Sequence, residues 1–220
     1  MRGQGYDNGA NMKGKNIGLQ RKILDINPRA FYVPCAAHSL NLVVNDAAKS
    51  SLEVTNFFSV VQEIYVFFSG STTRWQMLLE QVPNLTLKPL SNTRWESRVE
   101  ALKALRFNLE KVYDALYSIY SDNKRDGDTR NIASSLMLKL KSFQFICSLV
   151  TWLKILTKIN VVSKILQKPD VVLQEAVKMI EQAKNNLATM RTDSAFDSML
   201  LEATSIAEEI ECETIFTSIG

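Results

Sequence analysis

Residues 30–44 read AFYVPCAAHSLNLVV. This stretch decides the fold class, because two periodicities meet in it. Ala30 to Pro34 is a compact run of aromatic and branched residues and predicts a strand at 30–34. Beyond it, Leu40, Val43, Val44 and Ala47 recur at three- and four-residue steps and predict a helix over about 36–50. Upstream, KGKNIGLQRKILDI (13–26) places Leu19, Ile23 and Ile26 on one face, with Ile17 and Leu24 beside it. That is a short helix running through Gly18 and stopped by Asn27-Pro28. Residues 1–12, including most of RGQGYDNGANMKG (2–14), read as a loop. A single strand has no ladder partner, so residues 1–50 read as an incomplete α/β fragment with an unpaired strand edge.

Downstream the pattern becomes helical. LEVTNFFSVVQEIYVFFSG (52–70) predicts a helix closed at Gly70, and STTRWQMLLEQ (71–81) a second one capped by Ser71 or Thr72. VPNLTLKPL (82–90) is an irregular connector. SNTRWESRVEALKALRFNLEKVYDALYSIY (91–120) predicts one long amphipathic helix, with Val99, Leu102, Leu105, Leu109, Val112 and Leu116 on its apolar face. SDNKRDGDTRN (121–131) reads as a polar linker, followed by helices over about 131–167, 170–190 and 194–212. The expected fold is mixed α/β but mostly α: a partial α/β core at 1–50 and a helical domain at 51–220.

Composition agrees with a packed domain. Of 220 residues, 46% are hydrophobic and 22% charged, and glycine and proline are few. The net charge of +3 says little, but its distribution is uneven. Residues 130–168 hold seven basic and no acidic side chains, and residues 192–220 hold seven acidic and no basic ones. Such blocks are solvated helix faces that pair with each other, or else a basic surface for nucleic acid. Three widely spaced cysteines, Cys35, Cys147 and Cys212, give no disulfide framework and suit a reducing compartment. Residues 1–25 do not resemble a signal peptide, and the longest apolar stretches, such as FICSLVTWLKIL, are interrupted by Lys154 and read as too short to span a bilayer.

Three places carry candidate chemistry. Asp7, flanked by glycine-rich chain, is a suitable ligand for a hard cation, or a turn aspartate ahead of the next helix. A two-metal site needs several carboxylates, which Asp7 alone does not supply. Cys35 and His38 form a C-x-x-H pair, half of a zinc site; otherwise Cys35 is a buried strand-end residue and His38 bonds to a neighbouring loop. Ser39 lies next to His38 but points elsewhere on a helix, which argues against a nucleophile–base pair. The tripeptide TRW occurs twice, at 73–75 and 93–95. Arginine beside tryptophan suits stacking on a base and contact to a phosphate. Core packing is the reading for Trp75, while Trp95 stands between core and base contact, and Arg94 at a helix start opposes the macrodipole.

Taken in order, GQGYDNGANMKG, YVPCAAHSLNLVV and SNTRWESR resemble the hAT superfamily of DNA transposases, most closely its domesticated relatives of the zinc finger MYM-type and THAP-containing repressor-like kinds. The resemblance implies an RNase H-like core interrupted by a large all-helical insertion. It implies a D-D-E triad holding two Mg²⁺ or Mn²⁺ ions, with Asp7 matching the second aspartate. It places Cys35 and His38 near that centre and matches Arg94 and Trp95 to the pair whose tryptophan meets a flipped base. Arg74 and Trp75 inherit no role. The first aspartate has no counterpart here, and Glu211 and Glu213 do not match the segment of the final glutamate. No counterpart of the family's dimerisation region or zinc-binding DNA module is visible. The expectation is a truncated, transposase-derived nuclear protein that is not catalytic as this chain, needs no cofactor and touches DNA or protein partners but no membrane. The alternative is a helical protein- or DNA-interaction module in transcriptional regulation.

Overall fold

The computed structural model describes residues 2–83, 87–91, 95–168 and 171–216. The chain begins with a strand, β1 (Gly3–Tyr6), then two short helices, α1 (Ala10–Lys13) and α2 (Leu19–Ile26), and a second strand, β2 (Phe31–Pro34). Nine helices follow among the described residues: α3 (Ala36–Lys49), α4 (Leu52–Ser69), α5 (Thr72–Gln81), α6 (Trp95–Arg106), α7 (Leu109–Ser121), α8 (Gly127–Leu140), α9 (Phe143–Leu166), α10 (Leu173–Thr189) and α11 (Asp193–Glu209). The protein is therefore mostly helical, with two short strands.

The N-terminal segment corrects three expectations. Residues 3–6 are a strand rather than loop, and β2 is not alone: β1 pairs with it in parallel, Gly3 opposite Phe31 and Tyr6 opposite Pro34. The sequence GQGY hides this strand because glycine carries no β signal. Its side chains still matter: Gln4 is buried and its Nε2 donates to the Ala30 carbonyl at 2.8 Å. The helix expected over 13–26 is broken between Gly14 and Gly18. A Cβ on Gly18 would lie 2.5 Å from the Gly14 nitrogen, so the two backbones meet where only glycine fits. No residue of α2 is buried, and Phe31 and Val33 of β2 are 75% and 57% exposed. The apolar faces read there from periodicity stay open to solvent.

Helices α3 to α9 and α11 enclose one core, to which α10 adds no buried residue. Side-chain caps start four of them, with Ser51, Ser71, Asp126 and Thr192 accepting from backbone N–H groups of the first turn. The long helix expected over 91–120 is two helices, bent at Phe107–Asn108, where the Asn108 side chain donates to the Ala104 carbonyl at 2.9 Å. Val99, Leu102, Leu105, Leu109, Val112 and Leu116 are nevertheless all buried. The bend lets α7 turn away onto α8 while α6 lies along α9. The linker expected over 121–131 is shorter, because Gly127 already begins α8.

Helix α9 is the central element, packed against α3, α6, α10 and α11. Its 24 residues and a window of mean hydropathy 1.6 make it long and apolar enough to cross a membrane, which corrects the expectation that no stretch is. Within the bundle, Phe145, Ile146, Leu149 and Leu156 are buried among its neighbours, and 39% of that apolar window is buried in all. The charged blocks partly pair as expected. Lys154 of α9 meets Glu202 of α11 at 2.8 Å, and Arg106 of α6 reaches the same carboxylate at 3.4 Å. Lys139 and Lys164 instead pair with Glu63 and Glu96.

Candidate functional site

The parallel pairing of β1 and β2 brings the ends of both strands together. Tyr6 at the end of β1 accepts a hydrogen bond from the Cys35 N–H at 3.0 Å, so Asp7 and Cys35 leave the sheet side by side. Asp7 then makes a tight turn: its Oδ1 accepts from the Gly9 N–H at 2.9 Å, ahead of α1. Tyr32 closes the turn, its hydroxyl donating to the Asp7 carbonyl at 3.2 Å or to Asn8 Oδ1 at 3.1 Å. Asn8 Nδ2 donates to Ser39 Oγ at 2.8 Å, and Ser39 Oγ donates to the Cys35 carbonyl at 3.0 Å. Ser39 is thus part of the clamp that ties the strand exits to the first turn of α3.

Cys35 is the residue that precedes α3, and His38 lies in that helix's first turn; both are half-buried. No hydrogen bond joins His38 to a neighbouring loop among the described residues, in contrast to the packing reading of its imidazole. Trp95 opens α6 and is 2% exposed. Its Nε1 donates to the Asn41 carbonyl of α3 at 2.9 Å. One neighbour is Phe58 of α4, edge-on at 6.0 Å between ring centroids, and another is the Arg98 guanidinium, 4.2 Å from its ring centre. Burial holds the Arg98 group below its ordinary pKa. Trp95 is therefore packed as a core side chain, while one edge still reaches the space beside α3.

That space is a cleft of about 510 Å³. Asp7, Cys35, His38 and Trp95 all line it, together with Glu96 and, from the end of α9, Asn160, Ser163 and Gln167. Four of the residues singled out in the sequence thus converge, though Trp95 lies far along the chain from Asp7. Arg94 falls outside the described residues. Arg74 and Trp75 are elsewhere: Arg74 Nε donates to the Phe67 carbonyl at 2.7 Å, and Trp75 packs edge-on against Tyr65.

The cleft is polar and held by an ion pair. Glu96 meets Lys164 at 2.9 Å, and that carboxylate raises the lysine pKa above its ordinary value. Glu96, Asn160, Ser163 and Gln167 were not singled out by sequence reasoning. Glu96 sits next to Trp95 and was within reach of it; the α9 residues carried no local signal. The donor set does not fit a two-metal centre. Asp7 accepts the Gly9 N–H, Glu96 is taken by Lys164, and no three His, Cys, Asp or Glu side chains cluster as a metal site among the described residues. No family model matches this chain, and no solved structure matches it.

Proposed function

We propose that this is a hAT transposase-like, nuclear protein whose cleft contacts DNA and which does not itself cleave it. The reading rests on one observation: Asp7, Cys35, His38 and Trp95, picked from separate motifs of the resemblance, line a single cleft. The parallel β1–β2 pair leading into α3 would be part of an RNase H-like core, and the helices from α4 onward its all-helical insertion. Asp7 would correspond to one aspartate of a metal-binding triad, and its partners are not in this cleft, so no strand-cleavage step is assigned to these residues.

The test is a binding titration with hairpin-ended duplex DNA, against a blunt duplex of the same composition, over a range of salt. Saturable binding that prefers the hairpin end and weakens with His38→Gln supports the reading. Binding that ignores the end structure and the cleft substitution, or no binding, removes it. Nicking of the hairpin in Mn²⁺ that disappears with Asp7→Ala would overturn the non-catalytic half of the proposal.

A second reading, a helical interaction module, draws on a different feature. An apolar groove of about 770 Å³ runs between α3, α9, α10 and α11, with Leu40, Val43 and Ala47 on its edge. Of the face expected to seat α3 in the core, Val44 is buried while Leu40, Val43 and Ala47 border the groove, and Ala37 and Ala48 are buried beside it. Such a groove suits an apolar helix of another protein.

A further inference from the structure

Arg98 is an unusual core residue. It is 7% exposed, and its guanidinium lies between the Phe58 ring at 4.7 Å and the Trp95 ring at 4.2 Å. Its Nε donates to the Ser91 carbonyl at 3.2 Å. No carboxylate pairs with it among the described residues. A cation taken out of water without a counter-charge is costly, and two aromatic faces recover only part of that cost.

A second polar group shares its surroundings. Asn45 of α3 is 8% exposed, and its Oδ1 has no hydrogen-bond partner among the described residues. Arg98 and Asn45 line one pocket of about 570 Å³ between α3, α4 and α6, with Phe58 and Leu90 as apolar wall and Lys49 at its edge. Glu63, the acidic residue lining this space, is neutralised by Lys139 at 2.5 Å. A buried guanidinium that no carboxylate meets among the described residues therefore lines this space, while the unpartnered Asn45 Oδ1 is an acceptor and stands apart from any anion there.

We propose that this pocket binds a small organic monocarboxylate. Arg98 meets the carboxylate through its terminal N–H groups, and Phe58 and Leu90 receive the apolar body. A phosphate dianion fits less well, since one buried guanidinium opposes two charges beside an apolar wall. This site stands apart from the cleft beside Asp7, and Trp95 is the wall between them, stacked on Arg98 and lining the cleft. A ligand at Arg98 would therefore be reported by the Trp95 indole.

The test uses benzoate as the probe, benzamide as its neutral isostere and inorganic phosphate as the alternative anion. Binding is read from the Trp95 Nε1–H and Arg98 Nε–H resonances during titration. The expected result is a saturable shift with benzoate and at least ~10-fold weaker binding of benzamide and phosphate, the loss of one charge-assisted hydrogen bond. Ser59 is exposed on the rim of the pocket, so Ser59→Trp should fill the space and abolish benzoate binding while Arg98 stays in place. Arg98→Lys should weaken benzoate by a similar factor; if that variant does not fold, Ser59→Trp decides. Equal shifts with benzamide, tighter binding of phosphate, no saturable shift at all, or binding indifferent to Ser59→Trp would each overturn the proposal.

Discussion

Replacing Trp95 with alanine separates a packing role from a ligand-binding one. The side chain is 2% exposed, so its loss leaves a large cavity between α3, α4 and α6. Truncating a buried aromatic of this size costs about 3–5 kcal/mol. Arg98, 4.2 Å from the ring centre, would lose one of its two aromatic faces, worth ~1 kcal/mol or more where desolvated. The Asn41 carbonyl would lose its indole donor, ~1 kcal/mol. These losses overlap, so the expected total is about 4–5 kcal/mol. Trp95→Phe keeps an apolar ring beside Arg98 and removes the N–H, and should cost about 1–2 kcal/mol. Equilibrium unfolding in urea measures both, as a lower midpoint at unchanged slope. On heating, the alanine variant should melt roughly 10–15 °C lower, at about 2–4 °C per kcal/mol for a chain of this size. A loss below ~1 kcal/mol for Trp95→Ala would refute the packing account and leave the ring free for a base. Equal losses for alanine and phenylalanine would mean that the hydrogen bond, not the ring, carries the contact.

Three further outcomes follow from particular contacts. Burial raises the Glu202 pKa, but Lys154 and Arg106 outweigh it and leave the group below its ordinary 4.5. A depressed carboxylate stabilises the fold above that value and loses its contribution as pH falls through the lower one. Glu202→Gln should therefore lower stability near pH 6 and flatten its decline between pH 5 and 3; an unchanged acid limb in thermal melts would show that the pair does not contribute. Gly18→Ala should disturb only the start of the chain, because a Cβ there meets the Gly14 backbone at 2.5 Å while α2 buries no residue. Hydrogen exchange should accelerate in residues 10–26 with the global urea midpoint unchanged, and a shifted midpoint would mean that α2 is coupled to the core. Burial pushes the Cys147 thiol up to about 11, so it should react slowly with a disulfide reagent at pH 8 and faster as the pH approaches that value. Rapid labelling of Cys147 in the folded protein would contradict its half-buried place in α9.

Much of the fold was legible because helices announce themselves locally. The repeat of Val99, Leu102, Leu105, Leu109, Val112 and Leu116 identified residues that are all buried, even though one helix became two. The break escaped notice because Phe107 and Asn108 are tolerated within helices, and only the packing of α7 on α8 pulls the chain aside. β1 escaped because GQGY has no strand propensity and is held by pairing with β2, which lies beyond two helices in the chain. The apolar face of α2 misled in the other direction, since periodicity reports what could be buried rather than what is.

The candidate site divides along the same line. The sequence by itself determined which residue types stand at each motif: the turn aspartate, the C-x-x-H pair and the Arg-Trp pair. It also determined the local geometry that follows from them, such as the Asp7 turn ahead of α1 and the placement of Cys35 and His38 at the start of α3. The tertiary structure alone decided that Asp7, Cys35, His38 and Trp95 share one cleft, that Glu96 is committed to Lys164, and that Arg98 is buried without a carboxylate beside it among the described residues. Those facts depend on how the strand pair and α3 seat against α6 and α9. Contacts between distant segments are set by the burial of whole helix faces, and no short window of sequence contains that information.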